Sequence, residues 1–195
     1  MALLRTATST DLGPIIHAER VLLRTPQMSD YPAWAELRTI SRDFLTPWEP
    51  LWAPDELSRS SFRRRVRHYL RDLREDMGYA LFIFSASTGS LVGGLTLCNV
   101  RRGVTQACTL GYWTGAPYAG QGYMTAAVRA VIPFVFDSLE LHRLEAACLP
   151  ANAASIQLLE RTGFTHEGLA RRYLRINGAW QDHLLYALLD SDRRR

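Results

Sequence analysis

A glycine-rich turn leads directly from an apolar strand into an apolar helix near the middle of the chain. The strand is predicted over 109–114, and Gly120 and Gly122 precede the helix. Glycine lets the backbone approach a bound group closely, and the first N–H groups of a helix have no partner within it. Such a helix start binds anions, because the positive end of the helix dipole lies behind it. The pattern predicts a pyrophosphate site at 121–125, although a plain tight turn gives the same spacing.

Several residue types limit the chemistry that this chain can perform. All 23 residues counted as lysine or arginine are arginine, which excludes a Schiff base, a lysine nucleophile and a phosphate-loop lysine. Cys98, Cys108 and Cys148 lie far apart in apolar segments, which predicts buried free thiols of a reducing compartment. The five histidines have no metal-ligand spacing, and we expect no metal.

The composition is that of one globular domain. A chain of 195 residues, 47% hydrophobic and 22% charged, buries about 70% of its unfolded surface around a single core. No apolar run approaches the roughly 18 residues of a membrane helix, and the first residues lack a secretory signal pattern. We expect a cytoplasmic protein without membrane contact, with an N-terminal arm at 1–18, one domain at 19–190 and a basic tail at 191–195.

Helical and strand-like segments alternate along the chain and predict an α/β (α+β) fold. We expect a mixed, mostly antiparallel sheet of about seven strands with helices on both faces. Pro47 and Pro50 predict a loop over 42–50, and Pro133 should bend the helix that follows the glycine turn. The predicted strands lie at 19–24, 79–86, 91–100, 104–114, 142–149, 165–176 and 180–189, and the predicted helices start at Ser29-Asp30, at Asp55, after Gly122 and at Asn152.

The helix predicted over 55–77 carries seven arginines between positions 59 and 74. Acidic residues at 56, 72, 75 and 76 accompany them. This pattern predicts a solvated helix face with ion pairs, and its alternative is a surface for an RNA or ribosomal partner.

The glycine turn, Asn152, Ser155 and Gly163-Phe164 follow one another along the chain. With these residues in this order, the chain resembles over about 18–190 the GNAT superfamily of acetyl-CoA-dependent N-acetyltransferases. Six further motifs are FLTPWEP (44–50), CNVRRG (98–103), LGYW (110–113), LHRLEA (141–146), GFTHEG (163–168) and YLRINGAWQDHLLYAL (173–188). In these motifs the chain resembles more narrowly the RimJ-type ribosomal-protein-alanine N-acetyltransferases. The resemblance implies a GNAT-like fold and acetyl-CoA as the cofactor.

The resemblance also assigns residues to the cofactor. In the GNAT fold the fourth and fifth strands splay apart, and the pantetheine arm pairs with the backbone of the fourth, here Tyr112, Trp113 and Thr114. Asn152 would both cap its helix and contact this arm. The family loop usually opens with Arg or Gln, but this chain has Ala119, so we expect weaker side-chain support with the main-chain donors retained. The residues expected at the diphosphate are Gly120, Gln121, Gly122, Tyr123, Met124 and Thr125.

By the same resemblance Ser155 is the candidate acid. Many GNAT enzymes use a tyrosine four residues later, where this chain has Leu159. The Ser155 hydroxyl, in the first turn of its helix, would protonate or hydrogen-bond the leaving thiolate. The alternative is a polar helix residue without a chemical role.

Glu49 is the candidate base, acting directly or through a water, because it is the one acid on the rigid aromatic loop TPWEP. Trp48 and Trp52 would wall the acceptor pocket. The alternatives are that Glu49 only orders this loop, or that Asp182 and His183 form the base. A strong base is not required for an N-terminal α-amine, whose pKa is about 8, whereas that of a lysine side chain is about 10.4.

Three functional hypotheses follow. The leading one is acetyl transfer to an N-terminal α-amine of a protein, such as a ribosomal protein that begins with Ala or Ser, by a monomer or homodimer. The second keeps the chemistry and makes a small amine the acceptor, since fold does not decide the substrate. The third is a non-catalytic RNA-binding or ribosome-assembly factor that uses the arginine-rich helix.

Overall fold

The computed structural model describes residues 13–194, whose strands form one sheet of eight. The strands are β1 (Ile15–His17), β2 (Val21–Arg24), β3 (Tyr79–Ser85), β4 (Leu91–Arg101), β5 (Ala107–Thr114), β6 (Arg143–Cys148), β7 (Thr165–Ile176) and β8 (Ala179–Leu189). Their order is β1-β2-β3-β4-β5-β6-β8-β7. Only β5 and β6 pair in parallel among these strands. The mixed, mostly antiparallel sheet is therefore confirmed.

Helices cover both faces of this sheet, as predicted. They are α1 (Tyr31–Ile40), α2 (Arg42–Leu45), α3 (Arg59–Arg74), α4 (Tyr123–Pro133) and α5 (Ala153–Arg161). Leu81 and Ile83 of β3 belong to the main core, together with Val128 of α4 and the buried face of α5. Between them Phe82 points to the opposite face, into a second cluster with Trp34 of α1 and Phe62 of α3.

Three predicted boundaries are wrong at the N-terminal side. Residues 15–17, predicted as part of an arm, form strand β1 because they pair with residues 22–24 of β2. Residues 1–12 of that arm lie outside the described part of the chain. The loop predicted over 42–50 contains α2 and a 3-10 turn, Thr46–Trp48, in which Pro47 occupies a first-turn position that needs no N–H. Helix α3 begins later than predicted, since the Ser58 side chain caps it by accepting from the Ser61 N–H at 3.1 Å.

The helix after the glycine turn changes its hydrogen-bonding pattern at proline. Helix α4 ends at Pro133 and continues as a π-helical turn, Phe134–Ser138, closed by the Leu139 N–H on the Phe134 carbonyl at 2.9 Å. Pro133 has no N–H to donate, so a regular helix cannot run through it unchanged. At the C-terminal side, Asp190–Arg194 form a 3-10 helix, and Arg193 pairs with Asp137.

Two long-range hydrogen bonds place the segment 42–52 near the end of β5. The buried Ser41 hydroxyl accepts from the Ala116 N–H at 2.8 Å. The Asn177 N–H, at the tip of the closing hairpin, donates to the Glu49 carbonyl at 2.9 Å. Asn177 and Gly178 both have positive φ, 44° and 84°, which confirms the tight Asn-Gly turn predicted there.

Candidate active site

Strands β5 and β6 separate at the centre of the sheet. Their parallel pairing runs from Ala107 with Arg143 to Leu110 with Ala146. Beyond Leu110, β5 pairs only with β4, and the end of β6 pairs only with β8. The β5 backbone over 111–114 therefore has one edge open toward the gap, where a ligand amide can pair with it as an added strand would.

The glycine loop presents a row of unsatisfied donors beside this gap. Among residues 13–194, the backbone N–H groups from Gly120 to Thr125 have no hydrogen-bond acceptor. The first N–H to donate back is that of Ala126, to the Gly122 carbonyl at 3.0 Å. Gly120 and Gly122 have φ of 72° and 82°, which L side chains rarely adopt. This loop fits a diphosphate group, whose oxygens can accept from several main-chain N–H groups at once.

The start of α5 faces the same gap. The Asn152 Oδ1 accepts from the Ser155 backbone N–H at 3.0 Å, so the predicted cap is confirmed. Burial raises the pKa of the Tyr112 hydroxyl to about 12, and a hydrogen bond with Ser155 opposes part of this rise. The Tyr112 hydroxyl is thus a neutral group beside Ser155. The sequence had pointed only to the Tyr112 backbone.

A cleft of about 320 Å³ joins these groups. Trp48 and Glu49 line it, as does Arg161 of α5. Two predicted site residues, Gln121 and Trp52, do not line the cleft. The predicted residues that do are Trp48, Glu49, Tyr112, Trp113, Thr114, Gly120, Gly122, Tyr123, Met124, Thr125, Asn152 and Ser155, and those that the prediction missed include Phe44, Tyr118, Gln157, Leu158 and Arg161.

Glu49 accepts three hydrogen bonds from its neighbours. Its Oε1 and Oε2 accept from the Arg38 guanidinium at 2.6 and 2.7 Å, and Oε2 also accepts from Trp52 Nε1 at 2.9 Å. The Arg38 guanidinium carbon lies 4.4 Å from the Trp52 ring centroid and 5.0 Å from that of Trp113. Trp52 therefore holds the Arg38–Glu49 pair and does not wall the pocket. The sequence does not predict this role for Trp52, because its partner Arg38 lies on α1, outside the segment that contains Trp52.

Gly94 makes room for the indole of Trp113. A Cβ atom at Gly94 would lie 2.5 Å from Trp113 Nε1, closer than van der Waals contact allows. Because Gly94 has no side chain, the Trp113 indole can lie against β4. Trp113 also lines the cleft.

Asp182 and His183 do not form part of the cleft. The Asp182 Oδ1 accepts from the Arg172 N–H at 2.8 Å, within a bulge of the β7–β8 hairpin. His183 is buried, and its Nδ1 lies 3.0 Å from the Gln181 carbonyl. Neither residue lines the cleft.

The cysteines are free, as predicted. Cys108 and Cys148 are buried and Cys98 is half-buried. Burial raises the pKa of Cys108 to about 12 and that of Cys148 to about 11, so both are neutral thiols near pH 7. No cluster of three or more histidine, cysteine or acidic side chains in residues 13–194 could hold a metal ion. Within the same residues, no helix has the length and apolar character to cross a membrane.

The arginines of α3 divide into two groups. Arg64 and Arg65 pair with Asp55 and Glu56, and Arg71 contacts His68 and Asp72. The guanidinium of Arg59 lies over the Tyr31 ring at 5.5 Å. The other three are exposed and have no ion-pair partner within the described part of the chain, namely Arg63, Arg67 and Arg74.

The separated strands, the unsatisfied loop amides and the cleft between them define a known class of transferase. Residues 20–165 match the family model for an acetyltransferase (GNAT) domain. The chain belongs to the GNAT acetyltransferase family, which confirms the resemblance seen in its motifs.

Individual relatives indicate which kind of acetyltransferase the chain resembles. The [ribosomal protein uS5]-alanine N-acetyltransferase of Escherichia coli (strain K12) is 33% identical over 176 residues, 89% of this chain and 90% of that protein. The probable N-acetyltransferase YjcK of Bacillus subtilis (strain 168) is 34% identical over 178 residues, 91% and 98% of the two chains. The solved structure of Mycobacterium smegmatis RimJ in complex with CoA-disulfide has a TM-score of 0.86 and 33% identity, covering 94% of this chain and 89% of that one. The chain is thus an N-acetyltransferase that uses acetyl-CoA.

Proposed function

We propose that this enzyme acetylates the N-terminal α-amine of a protein, and that its acceptor is a ribosomal protein. The observation that carries the proposal is the lack of a free base in the cleft. Among its described lining residues there is no histidine, and Glu49 is the only carboxylate. Arg38 and Trp52 already occupy both oxygens of that carboxylate.

An acceptor that is partly neutral at pH 7 suits such a site. An α-amine has a pKa of about 8, whereas a lysine ε-amine, at about 10.4, would need a base to remove its proton. A cleft without a free base therefore favours α-amines over lysine side chains. The E. coli relative named for alanine acetylation of ribosomal protein uS5 supports a ribosomal acceptor, which would place the reaction in the cytoplasm.

Glu49 has a revised role in this proposal. A carboxylate offers about four acceptor positions, and Arg38 and Trp52 use three of them. The remaining position, on Oε1, can accept an N–H of the acceptor amine. Glu49 then orients the amine, and Trp48 and Phe44 surround the first side chain of the acceptor.

Acetyl-CoA supplies an activated thioester to this arrangement. The open backbone edge of Tyr112, Trp113 and Thr114 is suited to hold the pantetheine arm, with Asn152 beside it. A main-chain N–H of β5 near Tyr112 or Trp113 would stabilise the developing oxyanion. Ser155 would donate a hydrogen bond to the leaving sulfur.

Incubation with acetyl-CoA and two sets of peptides tests the acceptor. One set begins with Ala or Ser and contains no lysine, and the other has a blocked N-terminus and one lysine. We expect acetylation of the first set only, located by fragmentation mass spectrometry. Transfer to lysine, or to polyamines and free amino acids without any peptide product, would contradict the proposal.

Ser155→Ala tests the catalytic assignment in the same assay. Because Asn152 caps the helix through the Ser155 backbone N–H, the alanine variant keeps the cap and should fold normally. We expect kcat to fall about 100-fold while the KM for acetyl-CoA stays unchanged. Ser138→Ala, an exposed position at the end of the π-helical turn, is the matched control. Equal activity of the two variants would remove Ser155 from the mechanism.

A further inference from the structure

The diphosphate loop of this enzyme has main-chain donors but no cationic side chain of its own. Its first position is Ala119, and the sequence contains no lysine. Partial charges on N–H groups fix the place of a phosphate, whereas a full positive charge adds long-range attraction and stronger hydrogen bonds. A nearby arginine from another part of the chain would supply this charge.

Arg20 reaches this loop from the turn between β1 and β2. Its Nη2 donates to the Gln121 carbonyl at 3.1 Å, across 101 positions of sequence. The guanidinium carbon lies over the ring of Tyr123, 5.4 Å from its centroid. The backbone of Arg20 is itself fixed, because its carbonyl accepts from the Ala86 N–H at 3.0 Å.

The charge of Arg20 is not neutralised by the surrounding protein. No carboxylate in residues 13–194 forms an ion pair with it, whereas Arg24, four residues later, is held by Asp30. Its exposed guanidinium carries five N–H donors, and the Gln121 carbonyl takes one of them. The remaining donors are free for an anion at the loop.

Gly122 brings the arginine and the loop together. A Cβ atom at this position would lie 3.2 Å from Arg20 Nη1, a distance that would force the guanidinium to move. The glycine thus serves two purposes, since its φ of 82° also turns the chain into α4. Glycine at this position lets the Arg20 guanidinium lie within contact distance of the amide row.

We propose that Arg20 is a binding residue for the diphosphate of acetyl-CoA and supplies the positive charge that the glycine loop lacks. Its interaction with the Gln121 carbonyl holds the guanidinium at the edge of the loop. Its remaining N–H donors would then be available to phosphate oxygens, beside the unsatisfied amides from Gly120 to Thr125. This inference concerns the cofactor alone, so it can be tested without knowing the acceptor.

Cofactor binding by the full chain, measured without acceptor, tests whether Arg20 acts through its positive charge or by ordering the glycine loop. CoA affinity is determined by titration calorimetry at about 50 mM and about 500 mM salt, and binding of pantetheine, which has no phosphate, by ligand-observed NMR. The variants are Arg20→Gln and Arg20→Lys, with Arg63→Gln as the control for loss of an exposed arginine.

At low salt Arg20→Gln should weaken CoA binding about tenfold, and Arg20→Lys should restore most of the loss. Salt screens an exposed charge, so the difference from wild type should shrink at high salt. Pantetheine binding should not change in any variant, and Arg63→Gln should bind CoA like the wild type.

Three results would overturn the proposal. Arg20→Gln could bind CoA like the Arg63→Gln control, which would mean that Arg20 does not contact the cofactor. The CoA affinity lost in Arg20→Gln could be the same at both salt concentrations, which would mean that Arg20 orders the loop through Gln121. A parallel loss of pantetheine binding would indicate a general distortion of the cleft.

Discussion

Arg38 holds Glu49, one of the residues that line the cleft. Its guanidinium lies over the indoles of Trp52 and Trp113 and forms two hydrogen bonds with Glu49, and only 7% of its side chain is exposed. Its Nε has no hydrogen-bond partner within the described residues. In this largely buried ion pair, with 19% of the Glu49 side chain exposed, loss of one partner leaves the other charge poorly solvated.

Removing the guanidinium should therefore destabilise the protein strongly. Arg38→Met leaves the Glu49 carboxylate with Trp52 as its remaining donor, and we expect the free energy of unfolding to fall by about 3 kcal/mol. Arg64→Met breaks the exposed pair with Asp55 and should cost far less, because water screens both charges. Urea unfolding of both variants measures the difference. Similar midpoints would show that the Arg38 pair contributes no more than a surface ion pair.

Sequence analysis could find site residues whose neighbours lie close in the chain and missed those whose partners are remote. Asn152 caps an N–H three positions away, and the glycine loop uses its own backbone. The Tyr112 side chain of β5 meets Ser155 of α5, and Arg20 meets Gln121 across 101 positions of sequence. Trp52 was misassigned for the same reason, since its partner Arg38 lies on α1. Such pairs follow from the topology of the sheet, which local patterns do not specify.

At the level of elements, the N-terminal end of α5 is both a helix cap and a part of the cleft lining. The Asn152 side chain caps the helix and lines the cleft at the same time. Asparagine and serine are both good caps, whereas alanine is not. Substitution by serine can therefore separate the cap from a contact with the cofactor.

We expect Asn152→Ala to lower the free energy of unfolding by about 1 kcal/mol and Asn152→Ser to leave it nearly unchanged. Both should raise the KM for acetyl-CoA, since neither keeps the side-chain amide that we propose contacts the pantetheine arm. Ser58→Ala removes the cap of α3, away from the cleft, and should lose similar stability with an unchanged KM. A normal KM in Asn152→Ser would show that Asn152 acts only as a cap.

The prediction of elements succeeded where the local signal was strong. The Asn-Gly turn fixed the closing hairpin, and Asn152 with Gly163 bounded α5. Strand β1 was missed because three residues are too short for a periodic pattern, and only pairing with β2 defines it. The prolines of the segment 42–50 predict a loop, but Pro47 lies in the first turn of a helical segment, where proline is tolerated.

Across the whole molecule, arginine side chains form paired hydrogen bonds with carboxylates, which lysine would form less well. Arg24, Arg38 and Arg143 each form two hydrogen bonds with one carboxylate, a geometry that the planar guanidinium favours. On α3, ion pairs account for part of the positive charge and leave four exposed arginines, of which Arg59 lies over the Tyr31 ring. The net charge of +4 is thus compatible with an enzyme whose arginines mainly support its fold.

The neutral groups of the core predict how the whole molecule responds to alkali. Burial raises the pKa of Cys108 from 9.0 to about 12, that of Cys148 from 9.0 to about 11 and that of Tyr112 from 10.0 to about 12. The unfolded chain loses these protons at lower pH than the folded one. The stability that they contribute is complete below about pH 9 and is lost as pH rises toward 12.

The free energy of unfolding should accordingly stay level from about pH 7 to 9 and then fall up to about pH 12. Urea unfolding at each pH, followed by far-UV circular dichroism, gives this profile. Cys108→Ala removes one of the groups, so its profile should fall less steeply even though the variant is less stable near neutrality. If both profiles fall with the same slope, the Cys108 thiol already ionises in the folded protein and its burial does not hold the proton.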